Sequence, residues 1–211
     1  MNLTHEDIQQ FIKIINENSQ YDFTQYSEKS FTRRIERILV DQRMSFDTLK
    51  KKIRKNNQFL QEIVQSITVN TTELFRDPKI WHAVQYRIIP SLDHQNKINI
   101  WHAGVSYGQE LYSMLILLNE AGLMDRINIF GTDLNQEVLE AARKGVYKYR
   151  NNMEYVDNYN KVVRQNPYNY EEYFDIPYTR YFTIDKNKDT ISMKPFLLKK
   201  PVFFRHDLVK D

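Results

Sequence analysis

Two glycines and a carboxylate between Ile98 and Asp133 have the types and spacing of a nucleoside-binding turn. Gly104 and Gly108 leave little side-chain bulk between an apolar run and a helical stretch, so a ligand can approach the backbone closely. Asp133 falls about 25 residues after the turn, where a carboxylate suits the two hydroxyls of a ribose. A strict G-x-G-x-x-G is absent, and with it the grip on a pyrophosphate, so the pattern points to an adenosine cofactor without one. Gly104-Val105-Ser106-Tyr107-Gly108 also satisfies G-x-S-x-G, and Asp133 and His206 follow in the Ser, Asp, His order of α/β-hydrolases. Against a hydrolase, the region ahead of the turn reads as helical, whereas that fold places several strands before its elbow. His5, His82, His94, His102 and His206 form no i, i+4 pair and no H-E-x-x-H, and cysteine is absent. Neither a metal site nor thiol chemistry is therefore expected.

These residues need elements to hold them, and the surrounding sequence supplies a strand–turn–helix–strand unit. Ile98, Ile100 and Trp101 open a short strand, and Leu111, Met114, Leu115, Leu118 and Ala121 recur at helical spacing until Gly122 closes the helix. Ile127, Ile129 and Phe130 begin a second strand that ends at Gly131, Thr132 and Asp133. Gln136 to Ala142 reads as a helix stopped by Gly145, and Val202, Phe203 and Phe204 as a third core strand. Arg180 to Met193 reads as a hairpin around a KNKD turn. The tyrosine- and asparagine-rich stretch from Asn151 to Tyr173 has weak periodicity and is expected to form short helices and loops over the site.

Upstream, residues 4–66 carry helical periodicity with no glycine or proline. Thr4 with Asp7 offers a cap before Ile8, Phe11, Ile12 and Ile15, and Ser45 precedes Phe46, Leu49 and Ile53 in the same manner. A small helical bundle is predicted. In the helix around residues 28–43, Lys29, Arg33, Arg37 and, more loosely, Arg34 gather on one side, with Phe31, Ile35, Ile38 and Leu39 on the other. Such a face fits ordinary solvation of an amphipathic helix. It also fits a docking surface, because positive charge on one rigid face speeds encounter with an anionic partner.

Residues 66–78, SITVNTTELFRDP, break the helical pattern, and Asp77-Pro78 marks a turn into another helix. Asn70, Thr72, Glu73, Arg76 and Asp77 suit caps and ion pairs there, and suit equally the lining of a cleft. Three runs, ITVNTTELFRDP, AGVSYGQELYS and GTDLNQEVLEAARKGVY, resemble in order and spacing the chemotaxis receptor methyltransferases of the CheR family. In that family a linker of the type T-x-N-x-T-x-F-F-R-[DE] joins a helical domain to a sheet opening with A-x-x-S-x-G-E-E-P-Y-S. The match runs from about Tyr26 to Leu208.

The resemblance implies an α/β protein in two parts. A small helical bundle at 1–67 would dock a receptor through Lys29, Arg33, Arg34 and Arg37. A linker at 68–78 would lead into a Rossmann-like, S-adenosylmethionine (SAM)-dependent methyltransferase domain at 79–211, carrying a small β-subdomain at about 178–195. Asn70, Thr72 and Arg76 would reach the SAM site from the linker, beside Gly104 in the turn. Glu110 would meet the methionine part, Asp133 the ribose hydroxyls, and Asp207 and Leu208 the adenine. Arg76 would also orient an acceptor carboxylate. The implied activity is methyl transfer to glutamate side chains on the cytoplasmic helical region of a chemotaxis receptor, leaving S-adenosylhomocysteine. Gln109, Leu111 and Tyr107 stand where the family has a glutamate, a proline and a small residue. The alternative they motivate is a non-enzymatic module that senses SAM or S-adenosylhomocysteine. The family continues with further strands past the point matching Asp211, so a shortened chain is expected, with one side of its first strand unpaired and apolar surface uncovered.

Composition narrows the setting. Lys and Arg number 30 against 27 Asp and Glu over 211 residues, a net charge of +3 that does not call for nucleic acid. No basic start followed by an apolar run marks a signal peptide. No stretch approaches the roughly 18–20 apolar residues of a membrane span. With cysteine absent, a cytoplasmic protein without metal, nucleic acid or membrane insertion is expected.

Overall fold

The computed structural model describes residues 3–19, 21–68, 72–208 and 211, and the chain divides into two units, Met1–Val69 and Asn70–Asp211. Among the described residues the first holds four helices: α1 (His5–Asn18), α2 (Glu28–Asp41), α3 (Phe46–Lys55) and α4 (Asn57–Ile67). Their starts are written in side chains. Thr4 Oγ1 accepts from the Asp7 amide at 3.2 Å and Asp7 Oδ2 accepts from the Thr4 amide at 3.0 Å, the reciprocal capping box read from the sequence. Ser45 and Asn56 accept in turn from the amides of Thr48 and Phe59. The apolar stripes then close on one another, leaving Phe11, Phe31, Ile35, Leu49, Leu60 and Ile67 with no exposed surface. The Phe31 ring centroid lies 6.3 Å from that of Phe11, which packs 5.5 Å from Phe46.

On the outer face of α2, Lys29, Arg33 and Arg37 are exposed. Arg34 borders the same groove as Arg33 and Arg37 but turns its guanidinium inward. Its guanidinium donates to the Ile67 carbonyl and lies 5.5 Å from the Tyr26 ring. The cause is local: the last carbonyls of α4 lack helical partners and carry the negative end of the helix dipole, which draws in the nearest cation. Arg33 and Arg37 remain at the surface beside a groove of about 480 Å³ that Ser66 and Gln42 also line.

The second unit opens with α5 (Pro78–Ala83), which passes through a π-helical stretch at Val84–Ile88 into α6 (Ile89–Ser91). Then come β1 (Ile98–Ala103), α7 (Gln109–Glu120), β2 (Ile127–Asp133) and α8 (Gln136–Lys144). They are followed by β3 (Val146–Lys148), α9 (Glu154–Tyr159), β4 (Gln165–Asn166) and β5 (Asn169–Tyr173). The chain closes with β6 (Phe182–Asp185), β7 (Thr190–Met193), α10 (Pro195–Leu198) and β8 (Val202–Arg205). β1, β2 and β8 form a parallel sheet in that order, with Ile98 opposite Ile127 and Asp133 opposite Arg205. The crossover helix α7 packs close to β2 because Gly131 has no side chain. A Cβ there would stand 2.8 Å from the Phe203 ring and 3.1 Å from Leu111 Cδ1.

Among the described residues β1 pairs with β2 alone, and the row Trp101–Phe130–Val202 leaves Trp101 and Val202 more than half exposed. The hairpin expected at 178–195 is β6–β7, and it gains β3 as a third antiparallel strand. The expectation of only helices and loops between Asn151 and Tyr173 needs correction, because β4 and β5 pair there as a hairpin. Asn166 Oδ1 accepts from the Tyr168 amide at 2.8 Å to turn the chain. Glu171, Glu172 and Tyr173 are exposed, so no apolar alternation marks the strand. No described helix is long and apolar enough to cross a membrane, and the described residues contain no metal-ligating cluster.

Phe31→Ala is expected to destabilise the helical unit by about 3–5 kcal/mol, since a ring with no exposed surface leaves a cavity. Denaturant unfolding of the full chain, followed by circular dichroism, measures the loss; a value below about 1 kcal/mol would contradict the packing described.

Candidate cofactor-binding site

After Ala103 the chain turns back across the tip of β2 in a backbone conformation that side chains resist. Gly104 (φ 72°), Ser106 (φ 52°) and Gly108 (φ 87°) all lie in the left-handed region. At Gly108 packing of α8 adds a second reason, because a Cβ would stand 3.0 Å from Ala142 Cβ. At Gly104 a Cβ would meet nothing within 4 Å, so the backbone there borders open space, as a turn that receives a ligand requires.

Asp133 holds this turn. Its Oδ2 accepts from the Ser106 amide at 2.8 Å and its Oδ1 from the Asn135 amide at 2.9 Å. The Val105 amide continues the sheet pattern to the Thr132 carbonyl at 2.8 Å. The carboxylate placed at a ribose site by the sequence thus has a second task, fixing the turn beside it. Each of its oxygens retains a lone pair for a ligand hydroxyl.

Glu110 sits in the first turn of α7, where the helix dipole favours a negative charge. Its side chain is 64% exposed, and its Oε1 lies 2.8 Å from Nδ1 of His102, which is 7% exposed near the end of β1. The hydrogen bond from His102 holds the Glu110 carboxyl below its ordinary value, and partial burial opposes it without prevailing. Around the turn, His102 Nε2, Ser106 Oγ and Gln109 Oε1 are buried without a protein partner. Buried polar atoms rarely go unpaired, and their concentration here fits a polar ligand. Gln109 Nε2 donates to the Tyr155 hydroxyl at 2.7 Å, so the amide that replaces the family's glutamate is committed to the core. Ser106 Oγ has neither histidine nor acid as partner, which leaves the nucleophile-elbow pattern without a triad.

The polar linker reaches this helix through its backbone. Phe75 is buried at φ 53°, its amide donating to Ser113 Oγ at 2.8 Å and its ring packing 5.5 Å from Trp81 and 6.0 Å from Tyr159. Trp81 Nε1 donates to the Arg76 carbonyl at 2.9 Å, and Asp77 turns at φ 55° before Pro78 starts α5. Arg76 is thereby carried beside α7 with its side chain 56% exposed and its Nε 4.0 Å from Asp77 Oδ2.

The turn therefore gathers Gly104, Glu110 and Asp133, and the Phe75 clamp brings the Arg76 backbone alongside. The His206 amide donates to the Asp133 carbonyl at 3.2 Å, which leads the partly buried Asp207 to the same strand tips. Leu208 is largely exposed, and Thr72 is half-buried four residues ahead of Arg76. Asn70 lies outside the described residues. Sequence reasoning missed His102 as the partner of Glu110, Ser106 as the amide that Asp133 receives, and Ser113 as the anchor of Phe75. None of the three belongs to a spacing rule; each contact joins elements that only the fold brings together.

Glu110 has a titration signature. Because its folded pKa is depressed, the stabilisation from the His102 contact is full above the ordinary glutamate range and is lost as pH falls through the lowered value. Carboxyl-carbon NMR of the full chain is expected to give Glu110 a midpoint below 4.5. A midpoint at or above that value would remove the contact from the solution structure.

Comparison with known proteins places this geometry. Residues 70–211 match the family described as CheR methyltransferase, SAM binding domain, and residues 6–68 match CheR methyltransferase, all-alpha domain. The chain is similar to the "Putative methyltransferase Cher3" of Pseudomonas putida, with 35% identity across 74% of this chain and 58% of that protein. It is similar also to a "Chemotaxis protein methyltransferase" of Listeria innocua, at 27% identity over 98% of this chain and 72% of the relative. A protein of the same description from Borreliella burgdorferi is 30% identical over 70% of this chain and 56% of its own length. This chain thus spans between about half and three quarters of the relatives it matches. With residues 6–68 and 70–211 each matching a domain of that family, the chain belongs to the CheR methyltransferase family.

Proposed function

We propose that this protein methylates glutamate side chains on the cytoplasmic helical region of a chemotaxis receptor, with SAM as the methyl donor. The observation that carries the reading is the turn after β1, open at Gly104 and bordered by Asp133, Glu110 and three buried, unpaired polar atoms. Those groups fit the cofactor's chemistry. A carboxylate with free lone pairs suits a ribose diol, and an exposed acid near neutral atoms suits an amino-acid ammonium. Asp207 would accept from the adenine amino group, in place of the family's asparagine, while Thr72 and Asn70 would add contacts from the linker.

Bound SAM supplies an electrophilic methyl group on a positively charged sulfur. A glutamate acceptor is already ionised at neutral pH, so no residue of this chain has to act as a base. What the protein must provide is alignment of the acceptor oxygen and exclusion of water. Arg76 fits the first task, because a guanidinium can hold a carboxylate through two hydrogen bonds while leaving a lone pair free on each oxygen. The buried Leu74 and Phe75 beside it anchor its backbone in the core. Lys29, Arg33 and Arg37 would attract an acidic helical partner, with Arg34 supporting the end of α4 and lining the same groove. A receptor of that kind places the reaction in the cytoplasm.

Incubation of the full chain with methyl-labelled SAM and receptor tests the reading. Base-labile label on the receptor is the expected result; tight binding of SAM without any transfer would favour a sensor instead. Asp133→Ala is expected to weaken S-adenosylhomocysteine binding by about 1–3 kcal/mol in calorimetry, and unchanged affinity would reject the ribose assignment. Arg33→Glu with Arg37→Glu is expected to slow receptor methylation about tenfold at low salt while cofactor affinity holds. Equal rates would defeat the docking surface.

A further inference from the structure

We propose that His102 is a positioning residue for the cofactor: its Nδ1–H holds Glu110 Oε1 so that the other carboxylate oxygen faces the cofactor's amino group. The inference rests on the SAM reading of the site and adds to it a residue that lies behind the binding surface. Glu110 alone is poorly suited to precise recognition, since an exposed glutamate samples many rotamers. His102 is the opposite, a buried ring on β1, in register with Gly131 of β2.

The two meet because of how α7 sits. Gly131 lets Leu111 Cδ1 approach the sheet closely, and Leu111 is the neighbour of Glu110 in the first turn of that helix. The first turn is thereby pressed down over the sheet, and Glu110 Oε1 comes within 2.8 Å of His102 Nδ1. Among the neutral tautomers only the one with hydrogen on Nδ1 donates in this contact, and Nε2 is then the buried atom without a protein partner. The contact uses one lone pair of one oxygen, so Oε2 remains available to an ammonium. A pre-oriented acid binds more tightly because less freedom is lost on association.

The test is calorimetric titration of S-adenosylhomocysteine into the full chain and its variants, with circular dichroism to check folding. His102→Leu is expected to weaken binding by about 10-fold or more, the lower end of the range for losing one hydrogen bond to a charged group. His102→Asn, whose amide nitrogen falls where Nδ1 was, is expected to restore affinity to within about 3-fold of the parent, less than one such bond is worth. In a Glu110→Gln background the His102→Leu loss should shrink below about 2-fold, since coupled residues are not additive. Where His102→Leu does not fold, His102→Gln, which carries its donor at the Nε2 position, takes its place with the same expected loss. Equal weakening by His102→Asn and His102→Leu, or an undiminished loss in the Glu110→Gln background, would overturn the proposal while leaving the SAM site standing. A parent chain that binds no S-adenosylhomocysteine would overturn both.

Discussion

One carboxylate governs the second unit of this protein. Asp133 ends β2, and its two oxygens receive the amides of Ser106, in the turn after β1, and Asn135, at the start of α8. Two parallel strands and two helix starts are thereby tied at a single point. A buried amide without a partner costs about 1–3 kcal/mol, so this acid does structural work before any ligand arrives. The left-handed conformation at Ser106 persists because its amide has this partner. On the proposed reading, the cradle for an adenosine ligand and the acid that would grip its ribose are one construction, tied by the Ser106 amide.

The linker follows a related logic. Phe75 and Asp77 both adopt positive φ, each at an expense of about 1–3 kcal/mol for a residue with a side chain. Burial of the Phe75 ring against Trp81 and Tyr159, with its amide on Ser113, offsets that strain. The result is a backbone that cannot relax into a continuous helix through Arg76. On the proposed reading, this rigid mount is what would let Arg76 orient a carboxylate.

Most of the architecture was legible in the residue pattern. The strands at Ile98 and Ile127 are bounded apolar runs, the helix between them is closed by a glycine, and the caps at Thr4 and Ser45 sit where their hydroxyls are needed. The β4–β5 hairpin was not legible, because its strand carries exposed Glu171, Glu172 and Tyr173 and so lacks alternation. β3 has only three residues and becomes a strand by pairing with β7, which no local signal announces. Arg34 illustrates the same limit on the helical side. Periodicity assigns a residue to a face, but the orphan carbonyl of Ile67 on another helix decides where its guanidinium goes. In the site, the glycines and Asp133 were visible from spacing and Glu110 from the family resemblance, whereas the supporting contacts of His102, Ser106 and Ser113 belong to tertiary structure alone.

The central claim is that the turn held by Asp133 is the seat of the cofactor. Titration of S-adenosylhomocysteine into nitrogen-15-labelled full-length chain, read at individual backbone amides, addresses it most directly. The account predicts saturable shifts at Ser106 and Asn135, whose amides Asp133 receives, together with Glu110. Shifts confined to residues away from these three, or none at saturating ligand, would contradict it.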